Sequence, residues 1–215
     1  MIEKHIINFL NEIKNEKYII TSVEINDGLR GNIRRIYNEE SLCIELGNYL
    51  SEKLPNYRVE YERNVKRFGI NKNKAIKSEI DIVVFDDDIN EKYAIELKFP
   101  RNGQYPEEMF NFVEDIKFKE NLEDKKLKDK KFDRVICLVI ADDSKFYSNE
   151  GKTSGIYGYF RTYGATTVKC LSGAIKKPTG KEDKKFEINL ENNYTIKWNY
   201  LCATTNGNDC MYYLV

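Results

Sequence analysis

Histidine is nearly absent from this chain, and its scarcity narrows the chemistry that the protein can perform. The 215 residues include one histidine, His5, which falls in the first predicted helix. A serine or cysteine nucleophile activated by histidine, or a zinc site with histidine ligands, would have to be built on that single side chain. We therefore expect any hydrolytic chemistry to depend on carboxylates, lysine and a hard metal ion.

Long apolar runs and closely spaced cysteines are also lacking. No apolar run approaches the roughly 20 residues that a membrane helix needs, and the first residues, Met1–His5, do not have the layout of a secretory signal. The five cysteines are scattered and odd in number, which is typical of reduced thiols and not of a disulfide framework. We expect a cytoplasmic protein without a membrane segment.

An excess of charge of either sign is missing as well. The chain has 35 basic and 35 acidic side chains, a balance that argues weakly against a nucleic-acid partner, because nucleic acid favours a basic surface. The basic residues are nevertheless grouped in segments 63–77, 117–131 and 176–185. Each group is either a phosphate-binding surface or an ordinary solvated surface.

The length and the hydrophobic pattern predict one α/β domain over residues 1–215, with a core at about 35–141 and a β-rich C-terminal extension at about 142–215. Helical spacing of apolar residues predicts helices over 2–17, 35–54 and 107–122. Apolar or alternating runs predict core strands over 57–62, 78–85, 93–99 and 134–141, and shorter strands at 168–171, 186–190, 194–200 and 210–214. This order predicts a central mixed β-sheet flanked by helices.

Two neighbouring apolar runs contain charged residues at positions where a buried strand would normally have none. Ser78–Phe85 includes Asp81, and Tyr93–Phe99 includes Glu96 and Lys98. Strand side chains alternate between the two faces of a sheet, so Glu96 and Lys98 point to the same side. Burying unpaired charge is expensive. The pattern therefore indicates a carboxylate cluster with one lysine at the rim of the sheet, as a divalent-metal phosphodiesterase requires.

The spacing of Asp81 and Glu96-Leu97-Lys98 on two such strands resembles the PD-(D/E)XK nuclease superfamily, the restriction-endonuclease-like phosphodiesterases. The resemblance covers roughly residues 39–141. Members have a helix that carries an acid, three strands, a helix and a further strand, and the predicted order here is the same. The chain departs from the motif at its proline, because Ile80 precedes Asp81.

The resemblance implies a restriction-endonuclease-like core and a metal-dependent nuclease, most simply one that acts on DNA in restriction or defence. It implies that Asp81 and Glu96 bind Mg²⁺ or Mn²⁺ together with the main-chain carbonyl of Leu97. Lys98 would lie beside the attacking water. Double-strand cleavage by this fold commonly needs two sites, which implies a homodimer or a partner subunit.

A further acid on the upstream helix is also implied, and Glu39, Glu40 and Glu45 are the candidates. At 100° per residue, Glu39 falls at the centre of the apolar stripe of the predicted helix, whereas the other two lie about 100° and about 120° away. We expect Glu39 to join the site. The alternative is an acidic first turn that is stabilised by the helix dipole.

Three residues are weaker candidates for contact with nucleic acid. The helix that carries Lys117, and Gln104 in the loop before it, flank the site in the superfamily; each is otherwise a surface residue. Arg161 lies among aromatic residues of the C-terminal third, which either stack on bases or fill a small β core.

Two other functions remain open from the sequence. One is a catalytically silent nucleic-acid-binding or protein-interaction module with the same fold. The other is an unrelated α/β protein in which Glu96 and Lys98 form an ion pair on one strand face.

Overall fold

A computed structural model describes residues 1–21, 34–71, 76–101, 103–179 and 187–215. Its helices and strands occur in this order: α1 (Ile2–Lys14), β1 (Tyr18–Ile20), β2 (Arg34–Ile36), α2 (Glu39–Lys53), β3 (Arg58–Asn64), β4 (Glu79–Asp86), β5 (Glu91–Lys98), α3 (Tyr105–Leu122), β6 (Arg134–Ala141), α4 (Ser144–Tyr147), α5 (Tyr157–Phe160), β7 (Leu171–Lys176), β8 (Glu187–Tyr194), β9 (Asn199–Ala203) and β10 (Asp209–Leu214). None of the described helices combines the length and the apolar character needed to cross a bilayer.

The centre of the molecule is a six-stranded mixed sheet in the order β3-β4-β5-β6-β10-β9. The β5–β6 pair is parallel and the other neighbouring strands are antiparallel. Every residue of β6 after Arg134 is buried, which confirms the prediction of a central strand. The α/β class and the mixed sheet flanked by helices are therefore confirmed.

The two faces of the sheet are covered by different helices. Ile95 and Leu97 of β5 share a core with α1 and α2, whereas Ala94, the residue that points the other way, packs in a core with α3. This is the two-residue alternation expected of a strand that is buried on both sides. Glu96 and Lys98 have the same parity as Ala94, so their side chains start from the face of the sheet that α3 covers.

Helix α2 begins later than predicted. The pattern predicted a helix from residue 35, but Arg34–Ile36 forms β2 and pairs in parallel with β1. Asn38 then caps the helix, because its side chain accepts a hydrogen bond from the Ser41 N–H at 2.8 Å, and the Ser41 hydroxyl accepts one from the Asn38 N–H at 3.0 Å. Such a reciprocal cap fixes the start of a helix strongly. As a result, Glu39 is the first residue of α2.

The C-terminal third contributes β9 and β10 to the same sheet, whereas β7 and β8 pair with each other in a separate antiparallel sheet. The prediction at 210–214 is confirmed by β10, but β7 begins at Leu171 instead of residue 168, and β9 begins at Asn199 instead of residue 194. The alternation before β9 has another cause: Ile196 and Trp198 are buried against α5, where the Trp198 indole N–H donates to the Phe160 carbonyl at 2.6 Å. The alternating pattern there reflects core packing and not a strand.

Aromatic residues of this third fill a core. Phe160, Trp198 and Tyr213 lie in one buried cluster with the apolar side of α3. The rings of Trp198 and Tyr213 pack edge to face with centroids 4.8 Å apart. For these residues, core packing is confirmed as the reason for the aromatic content.

Candidate functional site

The four residues predicted to be catalytic converge at one edge of the sheet. Because β4 and β5 are antiparallel, the start of β4, with Asp81, lies beside the end of β5, with Glu96 and Lys98. The first turn of α2 reaches the same edge: Glu39 Oε1 lies 3.0 Å from Lys98 Nζ, and Glu39 Oε2 accepts a hydrogen bond from the N–H of Phe99 at 3.3 Å. Residues far apart in the chain are thus brought together by three separate elements.

The Asp81 carboxylate is bound to the backbone of the neighbouring strand. The paired residues of the β4–β5 ladder end at Ile82 and Ile95. Beyond this pair, Oδ2 of Asp81 accepts a hydrogen bond from the N–H of Leu97 at 2.7 Å. The carbonyl of Leu97 in turn accepts a hydrogen bond from Lys98 Nζ at 2.8 Å. Asp81 and Lys98 are therefore both hydrogen-bonded to the backbone of Leu97.

Two charged residues that the sequence reasoning missed complete the cluster. Lys77, just before β4, donates to Oε2 of Glu96 and, at 2.6 Å, to Oδ1 of Asp115 on α3. The other carboxylate oxygen of Asp115, Oδ2, lies 3.7 Å from Lys98 Nζ. Asp115 is therefore shared between the two lysines. We call the six residues Glu39, Lys77, Asp81, Glu96, Lys98 and Asp115 the charged cluster.

The ion pairs within the charged cluster are not the Glu96–Lys98 pair that the sequence left open as an alternative. Within the described part of the chain, Glu96 pairs with Lys77, while Lys98 pairs with Glu39 and Asp115. A direct Glu96–Lys98 pair on one strand face is therefore not how these charges are compensated. Four carboxylates face two ammonium groups, so the ionised cluster carries an excess of two negative charges.

Burial is graded across the charged cluster. The side chain of Glu96 is 0% exposed and that of Asp115 is 4% exposed. The side chain of Lys98 is 16% exposed, whereas that of Glu39 is 43% exposed. The cluster therefore has a dry base, formed by Glu96 and Asp115, and a solvent-facing side near Glu39.

This burial changes the proton affinities of the carboxyl groups. Desolvation raises the pKa of Glu96 well above its usual range; the nearby Asp81 charge adds to this effect, and Lys77 opposes it. Desolvation likewise raises the pKa of Asp115 against the opposing charge of Lys77, and raises that of Glu39 against Lys98. The cations around these carboxylates offset the effect of burial only in part.

Burial acts on the pKa values of the two lysines in the opposite direction. Burial by itself would lower the pKa of Lys77, but the charges of Glu96 and Asp115 outweigh it and raise that pKa. For Lys98, burial is likewise outweighed, here by Asp115 and Glu39, so its pKa is also raised. Both side chains are therefore ammonium ions at neutral pH. A charged Lys98 is suited to stabilising negative charge and unsuited to accepting a proton.

The donor chemistry of the charged cluster fits a hard cation in part. Oε1 of Glu96 and Oδ2 of Asp115 are buried and have no hydrogen-bond partner among the residues that the structure describes. Such an arrangement is costly unless something else compensates it. Carboxylate oxygens are the ligands that Mg²⁺ takes. Among the described residues, however, no three Asp, Glu, His or Cys side chains are close enough to form a cation site as they stand. A metal would therefore have to draw the carboxylates closer together.

The other candidate acids of α2 lie apart from the charged cluster. Oε2 of Glu45 pairs with Arg34 at 3.4 Å, and Glu40 is exposed at the surface. Glu39 is thus the member of the three that reaches Lys98, as its place in the apolar stripe predicted.

The three residues proposed to contact nucleic acid have structural partners. Gln104 is the residue immediately before α3. Lys117 bridges Glu120 and Glu191 at 3.1 and 3.0 Å and so joins α3 to β8. Arg161 donates from Nε to the Lys145 carbonyl at 2.7 Å and from Nη1 to the Lys152 carbonyl at 2.9 Å. The contacts of Lys117 and Arg161 hold neighbouring segments together, and nucleic-acid binding by any of the three stays a prediction.

A cleft of about 710 Å³ opens at the same edge of the sheet. Its lining includes Arg101, which follows β5, and Asp142, which follows β6; the two form an ion pair at 2.5 Å. The Asp143 carboxylate accepts a hydrogen bond from the N–H of Lys145 and thereby caps α4. The lining also includes Pro100, which lies two residues beyond Lys98 in the chain.

A sequence signal existed for one of the two missed residues. Asp115 stands three positions from Phe112 and from Phe118, both of which are buried on the apolar side of α3. A carboxylate at that spacing marks a charged residue facing the core. Lys77 had no comparable signal, because it was one of several lysines in a basic segment.

Comparison of the chain with models of protein families, with curated proteins and with solved structures finds no match in any of the three.

Proposed function

We propose that this protein is a metal-dependent nuclease with a restriction-endonuclease-like core, which hydrolyses phosphodiester bonds, most simply in DNA. The observation that carries the proposal is the meeting of Glu39, Asp81, Glu96 and Lys98, from α2, β4 and β5, at one edge of the central sheet. The order of elements from α2 to β6 agrees with it. A role in restriction or defence and a cytoplasmic location are part of the same proposal.

The residues that would hold Mg²⁺ or Mn²⁺ are Asp81, Glu96 and the carbonyl of Leu97. The unpartnered Oε1 of Glu96 supports this assignment, as does the negative excess of the charged cluster. When bound, such an ion polarises a phosphate oxygen and lowers the pKa of a coordinated water. Asp115 lies beside Glu96 and would supply further negative charge to the same position.

Lys98 would stabilise the charge that develops on the phosphate or orient the attacking water. Its ammonium group contacts Glu39, Asp115 and the Leu97 carbonyl, so it has little freedom to move. Fixed charges of this kind need no rearrangement when the reaction occurs, which is why they are effective. Glu39, on the solvent-facing side, would orient Lys98 and water near the substrate.

A catalytically silent binding module is the second candidate. It is favoured by the complete burial of the Glu96 side chain and by its ion pair with Lys77. In that case the charged cluster would be a structural network, and nucleic acid or a protein partner would bind at the adjoining cleft.

One assay separates the two candidates. The full chain is incubated with supercoiled plasmid, linear duplex and single-stranded DNA, in Mg²⁺, in Mn²⁺ and in EDTA. The nuclease is supported by cutting that requires the metal and is lost in Glu96→Gln but kept in Lys53→Ala, which removes an exposed ion pair outside the charged cluster. Binding without cutting supports the silent module. If the protein neither binds nor cuts DNA, both candidate functions are contradicted.

Double-strand cleavage would need a second site, from a homodimer or a partner subunit. Light scattering with and without duplex DNA measures the oligomeric state. Nicked products from a monomer would contradict the dimer and leave the nuclease proposal intact.

A further inference from the structure

Two of the scattered cysteines face each other in the sheet. Cys202 of β9 and Cys210 of β10 are directly opposite partners in an antiparallel pair. Opposite residues of such a pair project to the same face, with Cβ atoms about 4.5–5.5 Å apart. Both residues contribute to the core beneath α1. Their sequence separation gave no sign of this pairing, because the register of β9 and β10 is set by tertiary structure.

The two thiols are in direct contact. The Cys210 thiol donates a hydrogen bond to Sγ of Cys202 and thereby lowers the pKa of Cys202. Burial instead raises the pKa of Cys137 well above its usual range, and that of Cys43 to about 12. Since the thiolate is the reactive form, Cys202 is the most nucleophilic of these cysteines.

Cys202 is also the accessible member of the pair. It is half-buried and lines a surface cavity of about 590 Å³ together with Ile13, Tyr18 and Tyr200. Cys210 is fully buried behind it. A small oxidant can therefore reach Sγ of Cys202, and Sγ of Cys210 is already in place to react with the oxidised Cys202.

We propose that Cys202 and Cys210 are an oxidation site that forms a reversible cross-strand disulfide, with Cys202 as the attacking thiol and a hydroperoxide as the oxidant. The site is independent of the nuclease proposal. The Cα separation of opposite residues, about 4.5–5.5 Å, lies within the range of about 4.4–6.8 Å that disulfides accept, and the Cβ atoms need to approach to about 3.5–4.5 Å. The register change between Cys210 and Met211 marks a bulge, where strands adjust more readily.

The chemistry has two steps. The Cys202 thiolate attacks one oxygen of hydrogen peroxide, the O–O bond breaks and hydroxide leaves, which gives a sulfenic acid at Cys202. The Cys210 sulfur, after giving its proton to solvent, attacks Sγ of Cys202; the S–S bond forms, and the departing hydroxide takes up a proton to become water. Two thiols are oxidised to one disulfide, and one peroxide is reduced to two waters.

Peptide mass spectrometry tests the proposal on the full chain. Trypsin cleaves after Lys197, so both cysteines fall in the peptide 198–215. After brief treatment with hydrogen peroxide and alkylation of the denatured chain, this peptide should have lost two hydrogen atoms and both alkylation sites. Cleavage before Asp209 should then yield two fragments that stay joined until dithiothreitol is added.

Single variants and the exposed Cys170 serve as controls. In Cys210→Ser, dimedone should trap a sulfenic acid at Cys202, whereas Cys202→Ser should leave Cys210 unmodified. The proposal is overturned if Cys170 is oxidised while the wild-type peptide 198–215 keeps both thiols. It is equally overturned if Cys202→Ser is oxidised at Cys210 as fast as the wild type is. The wild-type measurement decides the matter even if a variant folds poorly.

Discussion

The carboxylate of Asp81 accepts a hydrogen bond from the backbone N–H of Leu97 at 2.7 Å, just where the paired residues of β4 and β5 end. The side chain of one strand thus serves as the acceptor for the backbone of the next. Asp81 therefore has a structural contact as well as its proposed part in metal binding, and two substitutions can separate them.

Asp81→Asn keeps a side-chain oxygen that can accept from Leu97, whereas Asp81→Ala leaves that N–H without its partner. We expect the alanine variant to lose about 1–2 kcal/mol of unfolding free energy and the asparagine variant less than half of that. Both should lose metal-dependent cleavage, because both lack the charge. Urea denaturation and plasmid nicking measure the two effects. Full activity in Asp81→Asn would remove the carboxylate from the mechanism.

Lys98→Ala should abolish cleavage while divalent metal still binds. The variant removes the ammonium group between Glu39 and Asp115 but none of the proposed metal ligands. A loss of at least about 100-fold in single-turnover rate is expected for a charge aimed at the reacting phosphate. Calorimetric titration with Mn²⁺ checks that the metal still binds. Lys53→Ala, which removes an exposed ion pair with Glu52, is the matched control, and retained cutting by Lys98→Ala would exclude Lys98 from the mechanism.

Lys77→Met should destabilise the protein more in EDTA than in Mg²⁺. Removing Lys77 leaves Glu96 and Asp115 buried without their shared cation, at a cost of roughly 3 kcal/mol. A divalent ion held by the same carboxylates would offset part of that cost. Denaturant titrations with and without Mg²⁺ measure the difference.

Lys53→Met is the control for this prediction. Lys53 forms an exposed pair with Glu52, so its loss should change the stability little, and to the same extent, in either condition. If Lys77→Met loses the same stability with and without Mg²⁺, the carboxylates of the charged cluster do not hold the ion.

In Gly47→Ala, a gain in helix propensity is opposed by the cost of overpacking. A Cβ at Gly47 would lie 2.3 Å from the ring of Tyr61, where α2 crosses β3. Alanine favours a helix over glycine by up to about 1 kcal/mol, but overpacking costs about 1–3 kcal/mol. We expect a net loss of stability. The cost is limited because the half-buried Tyr61 ring can shift.

A double-mutant cycle tests the cause. With Tyr61→Ala in the background, the contact is gone and Gly47→Ala should become stabilising, because the propensity gain remains. Chemical denaturation of the four proteins measures the coupling. A Gly47→Ala effect of the same sign and size in both backgrounds would show that the Tyr61 ring does not restrict this position.

Local pattern was sufficient to predict the strands β3 to β6 and their order, because each has a distinct apolar or alternating run. It also predicted Glu39, because the position of a residue on a helix depends only on its neighbours in the chain. The local pattern did not predict β2, because a run of three residues gives no indication of the strand with which it pairs in parallel. The start of α2 was misplaced for the same reason.

Four of the six residues of the charged cluster, Glu39 among them, were predicted from the sequence. Asp81, Glu96 and Lys98 stood out as charges in apolar strands, but Lys77 and Asp115 join them through the packing of α3 against the sheet. The pairing of Cys202 with Cys210 depends on strand register, which the sequence does not specify locally. The contacts that could not be predicted from the sequence are thus those set by tertiary structure.

The position of β10 between β6 and β9 constrains the order of folding. Leu138–Ala141 hydrogen-bond on one side to a strand that the ribosome makes only after β7, β8 and β9. Until then, a fully apolar strand presents an open edge, which is the kind of surface that recruits other chains into aggregates. We expect nascent chains that stop before β10 to depend on chaperones, and released chains to become resistant to protease only once this last strand has inserted.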